Sequence, residues 1–163
     1  MGPIKADAKL NILLVHVWFW PHIGGGNQHV EHIGKELVKR GHEVTVWCAD
    51  VPEHDEKEFE RGGIKVIRLI PKRVLGGVDP VVSTHHLSIE KFDLIHLHDT
   101  LPTLIRQVLK RAKKEKTPVI TTYHNDYIKQ GFISNLIKKL RWIIQGRNTL
   151  NSSNGKIVLT PFF

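Results

Sequence analysis

The sequence predicts an α/β fold: an open parallel sheet with helices on both faces, of the Rossmann-like kind. Three observations predict it. Short apolar runs without strict alternation, such as Asn11 to Trp18 and Glu43 to Ala49, suit strands buried on both faces of a parallel sheet. Between such runs lie stretches whose apolar residues recur at helical spacing. Finally, Gly24-Gly25-Gly26 stands between the first run and the first helical stretch, where a βαβ unit turns from strand to helix.

Taken in order, Met1 to Lys9 reads as a loose leader, and residues 10–163 as one Rossmann-like domain. Asn11 to Trp18 is the first strand. Asn27 to Arg40 is a helix with Val30, Ile33, Leu37 and Val38 on one face, and Gly41 supplies its C-terminal stop. Glu43 to Ala49 is the second strand. Pro52 to Gly63, carrying Glu53, Asp55, Glu56, Glu58 and Glu60, reads as an acidic loop. Ile64 to Ile70 is interrupted by Lys65 and Arg68, as in a strand nearer the sheet edge. Pro71 to Asp79 is expected to be a loop and Pro80 to Glu90 a helix. Asp93 to Asp99 is a further strand. Leu101 to Lys116 is an amphipathic helix with Leu104, Ile105, Val108, Leu109 and Ala112 facing inward. Val119 to Tyr123 is a strand, Phe132 to Gln145 a basic amphipathic helix, and Lys156 to Thr160 a last strand.

Composition narrows the class. At 163 residues, with 40% hydrophobic and 25% charged residues, the chain is one globular domain by size. Cys48 is the sole cysteine, which excludes an internal disulfide. No apolar run approaches the ~20 residues of a membrane-spanning helix, and the N-terminus has no apolar signal segment, so a cytoplasmic chain is expected. The net charge of +8, from 24 basic and 16 acidic residues, is compatible with an anionic small molecule, a membrane surface or nucleic acid. It equally fits lysine-rich solvated faces.

In open parallel sheets, ligands bind beyond the carboxyl ends of the strands. That rule selects Trp20 and Gly24 to Gly26 after the first strand. It also selects His98 and Asp99, and His124, Asn125 and Asp126, after two later ones. Three consecutive glycines are more than a turn needs. Without Cβ atoms the backbone can take positive φ and let a ligand approach closely, while helix N–H groups favour an anion such as phosphate. Eleven histidines raise the question of a metal, with His96 and His98 on one strand face and His29 and His32 on one helix face. No cysteine pair or HExxH motif accompanies them, so hydrogen-bonding or exposed histidines are preferred and no metal is expected.

Other nucleotide motifs fail. Counting GxGxxG from Gly24 or Gly25 puts the third glycine on His29 or Val30, although Asp50 sits where a ribose-binding acid would. An NAD-dependent Rossmann enzyme is therefore an alternative. Walker A and nucleophile-elbow motifs are absent.

Four stretches in order carry a resemblance. They are Pro21-His-Ile-Gly24-Gly25 leading to His29-Val30 and Leu37 to Val46; Phe92 to Asp99; Pro118 to Asp126; and Gly155 to Thr160. Together the chain resembles the N-terminal domain of family-4 glycosyltransferases of the GT-B fold. The resemblance implies a retaining transfer of a sugar from a nucleotide-sugar donor to a hydroxyl acceptor, without a metal or other cofactor. It implies that Gly24, Gly25 and Gly26 lie over the donor diphosphate and that His124 approaches the transferred sugar as the catalytic residue. Trp20, His98, Asp99, Asn125 and Asp126 then line the acceptor or sugar cleft. Gly26 and Asn27 depart from the family pattern, replacing a larger residue and an acid. The implied partners are the donor, the acceptor and a C-terminal donor-binding domain, expected to be absent from residues 1–163. Peripheral membrane contact is compatible and nucleic acid is not expected. The alternative of another class is a non-catalytic basic module that docks on membrane or nucleic acid.

Overall fold

The computed structural model of this chain describes residues 8–77, 79–99, 102–124, 140 and 142–158. Its elements are β1 (Asn11–Val15), α1 (Gly25–Lys39), β2 (Glu43–Ala49), β3 (Glu58–Arg61), β4 (Ile64–Leu69), β5 (Pro71–Leu75), β6 (Asp79–Val82), β7 (Leu94–His98), α2 (Thr103–Glu115), β8 (Val119–Tyr123), α3 (Arg147–Asn151) and β9 (Gly155–Val158). Seven strands form one sheet in the order β3-β4-β2-β1-β7-β8-β9. All pairings in it are parallel except that of β3 with β4.

β1 lies at the centre because it can be buried on both faces. Leu13 and Val15 join a core with Trp47, Ile95, Leu97 and the apolar side of α2 (Leu104, Ile105, Val108 and Ala112). Ile12 and Leu14 point the other way, into a core with Val44, Val46, Ile64, Val66 and Val30 of α1. Strand alternation thus feeds two cores, one under each helix. The close fit of α1 depends on Gly34: a Cβ there would lie 2.6 Å from Ile64 Cδ1. Gly41, at φ 86°, ends the helix while its N–H and that of His42 donate to the carbonyls of Val38 and Leu37.

Several expectations need correction. The acidic stretch read as a loop forms β3 in its second half, paired antiparallel with β4 across the two-residue turn Gly62-Gly63, both at positive φ. The expected loop from Pro71 to Asp79 is instead a hairpin of β5 and β6, with Gly76 and Gly77 at its turn. No helix spans Pro80 to Glu90: β6 runs to Val82, and turns follow. There Arg111 of α2 donates to the carbonyls of Thr84 and Leu87, supplying partners that a helix would have found internally. β1 ends at Val15 rather than Trp18, and α1 begins at Gly25 rather than Asn27. Most of the helix expected over Phe132 to Gln145 lies outside the described residues. Trp142–Gly146 is a π-helical turn leading into α3, and the Trp142 ring packs against Tyr123 with centroids 4.8 Å apart.

Candidate active site

Five histidines meet at the carboxyl edge of the sheet. His16 follows β1, His96 and His98 belong to β7, His124 follows β8, and His29 comes from the first turns of α1. The His124 ring centroid lies 5.2 Å from that of His29, 5.6 Å from His98 and 6.0 Å from His16. His98 Nδ1 and His124 Nε2 approach to 3.4 Å. His96 stacks behind His98 at 4.0 Å and is tied to Thr122 Oγ1 by its Nε2 at 2.7 Å. His16 Nδ1 donates to the Trp18 carbonyl at 2.6 Å, which leaves its Nε2 facing α1.

Burial sets the protonation of the cluster. Charging an imidazole away from water is costly, and each further charge beside it adds repulsion. Burial, reinforced by neighbouring histidines, brings His96 and His124 down to about 4 and holds His98 well below the ordinary histidine value. Burial also lowers His16, opposed by its bond to Trp18 and by Asp99, and it lowers His29. At neutral pH the site presents uncharged imidazoles, each with one donor and one acceptor nitrogen.

The glycines adjoin this cluster. A Cβ on Gly26 would lie 3.0 Å from His16 Nε2, so Gly26 is the surface on which that ring rests. Gly24 is the N-cap, at φ −176°, an extended conformation open to any residue. Gly25 and Gly26 are helical, and none of the three takes positive φ. The conformational reason for the cluster is thereby corrected: the loop does not need glycine to turn. Among the described residues no side chain caps α1, and no acidic residue lies in its first turn. Its N-terminal field is left to face an anion.

Among the other sequence-selected residues, Asp99 stands beside the cluster at φ 108°, a conformation uncommon outside glycine, with its N–H bonded to the Thr122 carbonyl. Trp20 packs instead toward the β3 edge: its ring lies 6.0 Å from Phe59 and under Arg61, whose guanidinium carbon is 4.9 Å from the ring centre. Asn125 and Asp126 lie outside the described residues. Asp50, the candidate ribose acid of the NAD reading, is buried. One carboxylate oxygen accepts from Lys57 Nζ at 2.5 Å and the other from the His54 N–H at 3.1 Å. Burial alone would raise this carboxyl, but Lys57 and His54 hold it below the usual range. A carboxylate so engaged is not presented to a ribose. A cavity of about 230 Å³ lies beside it, lined by Asp50, Val51, Pro52, Glu53, Ile70 and Pro71.

His16 and His29 were not selected from sequence as site residues. Ending the first strand at Val15 would have placed His16 at its carboxyl end. His29 sits one turn after Gly25 on the same helix.

Comparisons with known proteins agree with this architecture. The family model Glycosyltransferase Family 4 matches residues 23–162. A phosphatidylinositol N-acetylglucosaminyltransferase subunit of Arabidopsis thaliana is 30% identical over 128 residues, covering 73% of this chain and 28% of that protein. The human protein of the same name is 24% identical over 71% of this chain and 25% of its own length. An uncharacterized 42.6 kDa protein in the cps region of Klebsiella pneumoniae is 28% identical over 73% of this chain and 38% of its own. The chain thus spans well under half the length of these relatives. The sucrose-phosphate synthase structure from Thermosynechococcus elongatus superposes with a TM-score of 0.54 over 93% of this chain and 48% of that one, at 14% identity, a likeness of fold. A match to the family model over most of its length shows that this chain belongs to glycosyltransferase family 4.

Proposed function

We propose that this domain is the acceptor-side half of a retaining glycosyltransferase that moves a sugar from a nucleotide-sugar donor to a hydroxyl acceptor, with no metal cofactor. The observation that carries the reading is the contact of the histidine cluster with the glycine-rich start of α1. A leaving diphosphate gathers negative charge as its bond to the sugar breaks. Preorganised backbone donors and the helix field stabilise that charge without reorganisation. Open space around Gly25 lets such an anion reach the backbone. His124, neutral and half-exposed, offers a hydrogen bond to a sugar hydroxyl or to the departing oxygen, with His98 behind it.

Membership of the family supports the reading of retention and of a nucleotide-linked donor. The relatives named for N-acetylglucosaminyl transfer support sugar transfer as the chemistry. A second, donor-binding domain completes the cleft, in the cytoplasm or at its membrane surface. The test is His124→Ala in a protein that carries both domains. Loss of a hydrogen bond to a charged or developing charge, worth about 1.5–3 kcal/mol, lowers kcat/KM roughly ten- to hundredfold. Transfer unchanged by that substitution would refute the role of His124, and product of inverted anomeric configuration would refute retention.

A further inference from the structure

We propose that His29, His98 and His124 form a binding site for a divalent transition-metal ion of the zinc class, and that its occupation excludes the contact of His124 with a sugar. One ligand nitrogen from each of the three lies within 4.8 Å of the other two. Two imidazole nitrogens sharing a tetrahedral zinc at 2.0–2.1 Å stand about 3.3–3.4 Å apart. The pair His98 Nδ1 and His124 Nε2 is already at 3.4 Å. His29 closes the remaining gap by a side-chain rotation, since it stands on the half-exposed rim of α1.

A second observation points to a ligand here. The Nε2 atom of His29 is buried and has no hydrogen-bond partner among the described residues. Buried polar atoms are rarely left so. The donor set selects the ion: imidazoles without a carboxylate suit zinc, copper and nickel, whereas magnesium and calcium demand oxygen. Three protein ligands leave a fourth position open, as in zinc sites that hold a water molecule or a substrate atom. The start of α1, with no acidic residue in its first turn, favours an anionic oxygen as the fourth ligand. His16 and His96 are already engaged, with the Trp18 carbonyl and Thr122, and help to fix the rings rather than ligate.

The binding claim is independent of the transferase reading, and the exclusion claim rests on it. Titrating Co²⁺ into the untagged 163-residue chain should give a saturable absorption band at one equivalent. Its intensity should be that of four- or five-coordinate cobalt, and Zn²⁺ should bleach it. His29→Ala, at the rim of a helix and compatible with folding, should weaken binding at least tenfold, as should His124→Ala. His85→Ala/His86→Ala, which removes an exposed neighbouring pair, should leave it unchanged. Absence of a one-equivalent band, or its loss in the His85/His86 variant instead of the His29 variant, overturns the site. In the two-domain protein, Zn²⁺ should suppress transfer and a chelator restore it. Saturable binding with transfer unaffected overturns the exclusion, while no transfer without metal overturns the metal-free reading above.

Discussion

The glycines at the mouth of α1 separate two meanings that sequence cannot distinguish. A Cβ on Gly25 would meet nothing within 4 Å, and its backbone is helical. Gly25→Ala should therefore raise stability by about 0.5–1 kcal/mol, because glycine loses more chain entropy in a helix. If a diphosphate lies there, the same change should weaken nucleotide-sugar binding in the two-domain protein. Thermal melts and donor KM measured together check both halves; unchanged KM would remove Gly25 from the donor contact. Gly26→Ala differs, since its Cβ would press on His16 at 3.0 Å. The histidines make a second, pH-dependent statement. Burial lowers His16, His29, His96, His98 and His124, so the unfolded chain binds protons first on acidification. Their contribution is complete above the ordinary histidine pKa of about 6.5 and is lost as pH falls from there toward about 4, where His96 and His124 titrate. Urea midpoints should drop between pH 7 and 5, and His96→Gln should flatten the drop. A midpoint independent of pH in that window would contradict it. His98, Asp99 and His124 were legible because the strand-end rule needs only strand boundaries. His16 escaped because the apolar run continues through Val17 and Trp18, which hid the true end of β1 at Val15.

At the scale of elements, the parallel strands and the two long helices among the described residues were legible, because each carries a buried face written in its own residues. The antiparallel additions were not. β3 reads Glu-Phe-Glu-Arg, polar enough for a loop, and becomes a strand only because β4 offers it a partner. β6 is Asp-Pro-Val-Val, where the proline resembled the first turn of a helix. Its Asp79 accepts from the Thr103 N–H and hydroxyl at the start of α2, a long-range bond no local pattern announces. The contact of α1 with β4 tolerates little added volume. Gly34→Leu drives a side chain into Ile64 and should cost about 1–3 kcal/mol, as overpacking does. Chemical denaturation measures this, and a loss below ~0.5 kcal/mol would mean that α1 lifts off at little cost.

For the molecule as a whole, two cores among the described residues flank one continuous sheet, and each is covered by its own helix. The chain should therefore unfold in one cooperative transition, as small domains do. Catalysis is another matter. Holding donor and acceptor in register supplies several kcal/mol of rate enhancement, and on the proposed function this domain supplies one wall of the cleft. The 163-residue chain should transfer no sugar by itself. Product analysis with nucleotide sugars tests this, and turnover by the chain alone would place the catalytic machinery wholly within it.

The position of β1 has a consequence in time. Ile12 pairs with Val44 on one side and with Leu94 on the other. On a ribosome the first partner emerges soon after β1, but the second arrives 82 residues behind it (94 − 12). At elongation rates of 5–20 residues per second, that delay lasts about 4 to 16 s. For those seconds a central strand carrying Leu13 and Leu14 has one unpaired edge in water. It invites the edge-to-edge association that finished sheets avoid. Nascent chains halted between Leu69 and Phe92 should need a chaperone that chains released beyond β7 can do without.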